Sequence, residues 1–245
     1  MNVLVFKWNT NSKQLIPSGN IQATKTKYDS NYINRHYKLI KNKSPQVNYF
    51  CVTDDPIGLD KNINIIPLWK EAREFGGCYL RLYLFSKDFV KLLNEKFLLL
   101  DVDTTIIKDF SHLYDTNEDF VFYRTENPER AKSNKPYRFH LNTSLISPGI
   151  KFEIWDKFIN GNIQETIYNS RRLFTGTDQS WLNYYAKQIN WNPPHWDNKD
   201  GLYIMNDIMK MNNNLPSNAL IINWAGPRDP YETKWQNIKW VKENS

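Results

Sequence analysis

Two carboxylates one residue apart, Asp101 and Asp103, end the apolar run Phe97-Leu98-Leu99-Leu100 and are followed at once by Thr104-Thr105-Ile106-Ile107. A continuous apolar run of this kind reads as a strand covered on both faces. Strand alternation sends residues i and i+2 to one side, so the two acids are expected to converge at the strand's end. Ionised carboxylates that close repel one another. A divalent cation shared with phosphate oxygens relieves the repulsion, so the pattern points to a metal–diphosphate site. Its plain alternative is a strand followed by an acidic turn. A second reactive pair, Asp178-Gln179, opens the segment DQSWLNYYAK, where Thr177 or Asp178 would cap a helix over Asp178 to Lys187.

The elements that must position these groups alternate in type. Asn2 to Trp8 reads as a buried strand, and the polar loop Asn9-Thr10-Asn11-Ser12 after it lies where an α/β sheet places ligand contacts. Tyr28 to Lys43 follows as a helix carrying Arg35, Lys38, Lys41 and Lys43. Val47 to Thr53 is a second strand ending in Asp54-Asp55-Pro56, Ile63 to Leu68 a third, and Glu71 to Leu93 a helix that contains Arg81. Strand–helix–strand units of this length predict a mostly parallel sheet with right-handed crossovers. Beyond Asp109 the pattern becomes mixed: a short strand at Phe120 to Tyr123, a basic loop over 124–138 (Arg124, Arg130, Lys132, Lys135, Arg138), a strand at Leu141 to Ser147, and a helix at Phe152 to Ile159. Trp191 to Trp196 contains two consecutive prolines and is expected to be irregular. A last strand covers Ala219 to Trp224.

A chain of 245 residues with 15% aromatics can bury a substantial core. The net charge of +6 favours an anionic ligand or surface without choosing among nucleotide, phosphoglycan, nucleic acid and lipid headgroup. There is no G-x-G-x-x-G and no P-loop, which removes support for dinucleotide cofactors and for NTP hydrolysis. Cys51 and Cys78 lack metal-ligand spacing and read as free thiols of a reducing compartment. No stretch approaches the roughly 20 apolar residues of a membrane span, so a soluble, cytoplasmic protein is expected.

Four segments in order carry a family resemblance. LLLDVDTTII resembles the apolar-D-x-D-apolar strand of GT-A-type glycosyltransferases, and DQSWLN (Asp178 to Asn183) resembles the D-Q-D-x-L-N of the retaining glycogenin and lipopolysaccharide galactosyltransferase group. LNTSLIS resembles that group's strand with a leading Asn, here Asn142, and INWAGPRDPYE resembles its terminal H-F-x-G-x-x-K-P-W. The resemblance implies a single Rossmann-like GT-A domain over 1–245, with a nucleotide-binding half at 1–110 and a sugar and acceptor half at 111–245. It implies transfer of a sugar from a nucleoside-diphosphate sugar, UDP by default, to a glycan or other hydroxyl acceptor, with retention and with Mn²⁺ or Mg²⁺. Asp103 would ligate the metal, with Asp101 on the metal or the donor ribose. Arg81, Trp8, Asn142 and Asp54 would contact the donor, Arg228 would stand at the phosphate-binding lysine, and Asp178 and Gln179 would form the reaction centre. The family's metal-binding His falls at Asn223, or at Ala225 in an alternative alignment, and an amide carbonyl is a weaker ligand than imidazole. His140, His195, Trp191 and Trp196 stay unassigned. The basic helix and loop leave two other readings: a DNA-binding protein, or a transferase acting on modified bases in nucleic acid. The missing His leaves a third, a catalytically weak sugar-nucleotide-binding homologue.

Overall fold

A computed structural model describes residues 1–8, 28–69, 77–125, 139–147, 153–174, 176–224 and 228–244. Its main sheet is built from seven strands: β1 (Asn2–Lys7), β2 (Asn48–Thr53), β3 (Asn64–Pro67), β4 (Phe97–Leu100), β6 (Phe120–Tyr123), β7 (His140–Ile146) and β8 (His195–Trp196). In space they lie in the order β3-β2-β1-β4-β7-β6-β8. β1 pairs in parallel with both β2 and β4, and β2 with β3; β7 runs antiparallel to β4 and to β6, and β8 parallel to β6. A second, three-stranded sheet holds β5 (Thr104–Ile106), β10 (Ile221–Asn223) and β9 (Leu202–Ile204), in that order.

Alternation along the central strands explains why both faces are covered. Leu4, Phe6, Phe97 and Leu99 feed one core, with Leu82, Phe89, Phe158 and Trp181. Val3, Val5, Leu98 and Leu100 feed the other, with Ile33, Ile40 and Ile221. The first face is covered by a 3₁₀ helix, Gly77–Phe85, and by α2 (Lys87–Leu93), α3 (Ile154–Ile159), α4 (Ile163–Leu173) and α5 (Asp178–Gln188). The second is covered by α1 (Ser30–Lys43) and the small sheet. Two short helices, α6 (Met205–Lys210) and α7 (Lys239–Glu243), serve a third cluster around Ile222 and Trp224. Local caps set the helix starts: Asp29 accepts from the Tyr32 amide, Ser86 from Phe89 and Asn162 from Glu165.

Three sequence expectations change here. The acidic strand is not one strand: β4 stops at Leu100, Asp101 to Asp103 form a turn, and the chain enters the second sheet as β5. The expected helix to Leu93 is, over the described residues, a 3₁₀ helix and then α2, separated at Ser86, whose side chain starts a new helix. Trp191 to Trp196 is irregular only to Pro194, since His195 and Trp196 pair with Phe122 and Tyr123 as β8. The polar loop 9–12, the segment 70–76 and most of the basic loop, with Arg130, Lys132, Lys135 and Arg138, lie outside the described residues. No helix among the described residues is long and apolar enough to cross a membrane.

A directed hydrogen-bond chain pins the turn from the α1 side. The Thr104 hydroxyl donates to the Asp101 carbonyl (3.0 Å), so it accepts from His36 Nε2 (3.0 Å), and His36 Nδ1 accepts from the Tyr49 hydroxyl (2.8 Å). Burial pushes the His36 ring down to about 3, so it is neutral in the folded protein. The unfolded chain takes up a proton near the ordinary 6.5 that the folded chain refuses, so this group's stabilisation falls as pH drops from about 6.5 toward about 3. Urea unfolding at pH 7 and pH 5 is expected to show about 2 kcal/mol lost through His36. In His36→Gln that part of the pH dependence should vanish, whatever the variant's stability at pH 7.

Candidate functional site

The parallel strands order as β3-β2-β1 on one side of the sheet and β4 on the other, so connections diverge between β1 and β4. A crevice opens at the carboxyl ends of strands where order reverses in this way, and ligands of open α/β sheets bind there. Trp8 follows the end of β1 and the Asp101–Asp103 turn follows the end of β4.

Arg81 joins the two acidic motifs. Its Nε donates to Asp178 Oδ2 at 2.7 Å, and its Nη1 to Asp101 Oδ1. The guanidinium is buried, and Asp178 is only 1% exposed. Burial opposes its charge, but the Asp101 and Asp178 carboxylates outweigh that and hold the guanidinium well above its ordinary value. A 3₁₀ helix stacks residues i and i+3, so Cys78 and Arg81 share a row, and Cys78 stands among Arg81, Thr177 and Asp178. Burial pushes the Cys78 thiol up to about 12, which removes it as a nucleophile.

Asp178 opens α5 and turns its second oxygen inward, where Oδ1 accepts from the Gln179 amide at 2.9 Å. Thr177 is the N-cap but makes no side-chain capping bond. Gly176, at φ +95°, lets the chain turn into α5, and a Cβ there would stand 3.4 Å from that of Gln179. Asn183, one turn on, donates to the Gln179 carbonyl (2.7 Å) and to Phe139 O (2.9 Å), tying α5 to the start of β7.

Asp103 lies across the turn from Asp101, 9% exposed, and accepts from the Tyr28 hydroxyl at 2.7 Å. Asn142 is close by along the backbone: its carbonyl accepts the Asp101 amide at 2.9 Å, and its buried Oδ1 has no hydrogen-bond partner among the described residues. Asn223, 1% exposed, accepts the Thr143 hydroxyl on its carbonyl at 2.9 Å. Its oxygen is thus engaged within the protein, which counts against the ligand role expected of it. Among the described residues no group of three or more His, Cys, Asp or Glu could hold a metal ion. Asp101 and Asp103 are the carboxylates a cation here would draw on, its remaining oxygens coming from phosphate and water in the usual manner of Mg²⁺.

The other expected residues fall as follows. Asp55 is held by the buried Lys7, which donates to its carboxylate (2.9 Å) and its carbonyl (2.6 Å), while Asp54 is half-buried just beyond β2. His140 is buried beside Tyr123 and Thr125, and Trp191 packs edge-on against Phe120 and Phe122, so both serve the core. Arg35 lies 4.4 Å over the Tyr231 ring and Lys41 donates to the Val47 carbonyl, so two cations of the basic helix have local partners. Arg228 is half-buried next to a buried Asp229. Counted from the glycine of H-F-x-G-x-x-K-P-W, the lysine position falls on Asp229 rather than Arg228, and Pro230 and Tyr231 match P-W. Tyr28, Tyr32, Thr143 and Asp229 were not singled out by sequence; two tyrosines four residues apart were the available signal for the first two, although Tyr28 lies ahead of α1 and its cap Asp29.

Comparison with solved structures places the fold. The chain aligns with a galactosyltransferase, LgtC, in complex with donor and acceptor sugar analogues, at TM-score 0.56 and 12% identity, over 100% of this chain and 96% of that one. An active-site glutamine-to-glutamate mutant of LgtC gives 0.60 and 13% over 99% and 94%. The glycosyltransferase GlyE of Streptococcus pneumoniae TIGR4 gives 0.52 and 13%, over 99% of this chain but 63% of its own. The α/β fold is therefore GT-A-like, as expected from the sequence. No family model and no curated protein sequence matches the chain.

Arg81→Met removes the cation between two carboxylates and leaves Asp178 buried and unpaired. Urea unfolding is expected to show a loss of about 3–5 kcal/mol. Adding Asp178→Asn to the same chain should recover part of it, because the uncompensated charge is then gone.

Proposed function

We propose that this protein is a glycosyltransferase that moves a sugar from a nucleoside-diphosphate sugar, UDP by default, to a glycan or other hydroxyl acceptor with retention of anomeric configuration. The observation that carries the reading is Arg81. One buried guanidinium binds the first acid of the D-x-D turn and the acid of the D-Q pair, next to the β1/β4 crevice of a fold shared with glycosyltransferases. The whole chain acts as one transferase domain, with 1–110 holding the nucleotide and 111–245 framing sugar and acceptor.

Asp103 and Asp101 would hold Mn²⁺ or Mg²⁺. When bound, such a cation offsets the charge that grows on the departing diphosphate. Asp178, 1% exposed and bonded through one oxygen to Arg81 and through the other to the Gln179 amide, orients the start of the D-Q helix, and so Gln179, toward the donor sugar. Gln179 is neutral and a poor nucleophile, so its amide stabilises positive charge at the anomeric carbon and forms no covalent intermediate. The acceptor oxygen then bonds to that carbon on the face the diphosphate leaves, and its proton passes to the leaving phosphate oxygen. The existence of an active-site glutamine mutant of LgtC supports a working glutamine in this fold.

A donor panel of UDP-, GDP- and CMP-sugars with Mn²⁺ tests the proposal by release of nucleoside diphosphate or monophosphate. Turnover with one donor is expected, lowered at least about 100-fold by Asp103→Ala, the scale of removing one preorganised electrostatic group. Hydrolysis of no donor would overturn it. Donor binding without turnover would instead favour a sugar-nucleotide-binding protein, the second reading, which the engaged Asn223 oxygen supports. Proton NMR of fresh product is expected to show the donor's anomeric configuration, and an inverted product removes retention.

A further inference from the structure

The D-x-D turn touches a tyrosine ladder that the proposed reaction does not use. Tyr28 donates to Asp103 Oδ2 at 2.7 Å, and its ring meets the Tyr32 ring edge-on at 4.8 Å. Tyr32 donates to Asp229 Oδ1 at 3.0 Å and meets Tyr231 edge-on at 4.7 Å, with Arg35 on the Tyr231 face. The Tyr231 amide also donates to Asp229 Oδ1, at 3.0 Å. The ladder therefore joins the D-x-D turn, the N-terminal turn of α1 and the 229–231 segment.

We propose that Tyr28 is a positioning residue that fixes the orientation in which the Asp103 carboxylate meets a divalent cation. The inference rests on the glycosyltransferase reading and goes beyond it. Asp101 needs no such help, because Arg81 already orients its carboxylate. At Asp103 the Tyr28 hydroxyl holds Oδ2. A phenol suits this role because it donates one hydrogen bond, stays neutral and leaves the carboxylate charge in place. Partners that orient a metal-ligating carboxylate change metal affinity by about 10–100-fold.

The test is Mn²⁺ titration followed by electron paramagnetic resonance, with Mn²⁺ alone and with UDP, on wild type, Tyr28→Phe, Tyr32→Phe and Asp103→Asn. Tyr28→Phe is expected to bind Mn²⁺ about tenfold more weakly with an unchanged Tm, and Tyr32→Phe to bind as wild type. In an Asp103→Asn background, Tyr28→Phe should change nothing further, which shows that the phenol acts through that carboxylate. Wild-type affinity or tighter binding in Tyr28→Phe would overturn the inference while leaving the transferase reading standing. Equal weakening by Tyr28→Phe and Tyr32→Phe, or a Tm loss in Tyr28→Phe that tracks the Mn²⁺ loss, would make the ladder merely structural and overturn it too. A wild type that binds no Mn²⁺ in either titration but turns over a donor overturns this inference alone. One that does neither overturns both.

Discussion

A single buried cation between two carboxylates holds the centre of this molecule. Arg81 and Asp178 are almost completely shielded from water, and Asp101 is half-buried. A lone guanidinium there would be prohibitive, and so would a lone Asp178. Only the three together are tolerable, and their chain origins are far apart: a 3₁₀ helix, the end of β4 and the start of α5. The ion cluster is a constraint on topology as much as a bond. Any packing of α5 against the sheet that moves its first residue out of hydrogen-bond reach loses those bonds and keeps the desolvation cost.

The D-x-D turn has a second constraint because it hands the chain from one sheet to the other. Leu99 and Leu100 pair with Ser144 and Thr143 in the main sheet, and Thr104 pairs with Asn223 in the small one. Strand pairing thus anchors the turn on both sides, with the Asp101 amide on the Asn142 carbonyl and the Thr104 hydroxyl on the Asp101 carbonyl closing it from within. Such a turn has little freedom to rearrange when a ligand arrives. What freedom remains belongs to the side chains, and Arg81 and Tyr28 each restrict one of them.

Much of this was legible in the residues. Continuous β-branched and leucine-rich runs marked β1, β2 and β4, because a strand buried on both faces has no polar alternation to disguise it. The D-x-D and D-Q pairs were legible as chemistry. Their union through Arg81 was not: the resemblance implied only a donor contact for that residue, and a solvated helix arginine looks the same in sequence. Alternation also misassigned the reason the two acids are close: they share a turn, and a tight turn cannot be told from a continued strand when Val102 and Ile106 are as apolar as the residues before them. The break at Ser86 was hidden by the apolar run Leu82-Tyr83-Leu84-Phe85, which suits either helix type. β9 and α6 went unread because a three-residue strand and a six-residue helix carry too little of a repeating pattern to stand out.

The C-terminal segment is where the chain departs furthest from the family it resembles, and the departures compensate one another. An Asn stands in place of the imidazole, buried and bonded to Thr143. An acid, Asp229, stands in place of the phosphate-binding lysine, which would set a negative charge near the diphosphate if nothing met it. Tyr32 meets it directly, with the Tyr231 amide on the same oxygen, and Arg35 lies on the ring beyond. These are neutral donors and a cation, two of the three delivered from α1, a helix that has no counterpart requirement in the motif itself. The same helix supplies His36 to the D-x-D turn, and the residue just ahead of its cap supplies Tyr28. The D-x-D turn and the 229–231 segment are thus tied to one another through α1 and the residue ahead of its cap, by side chains that the C-terminal motif does not contain.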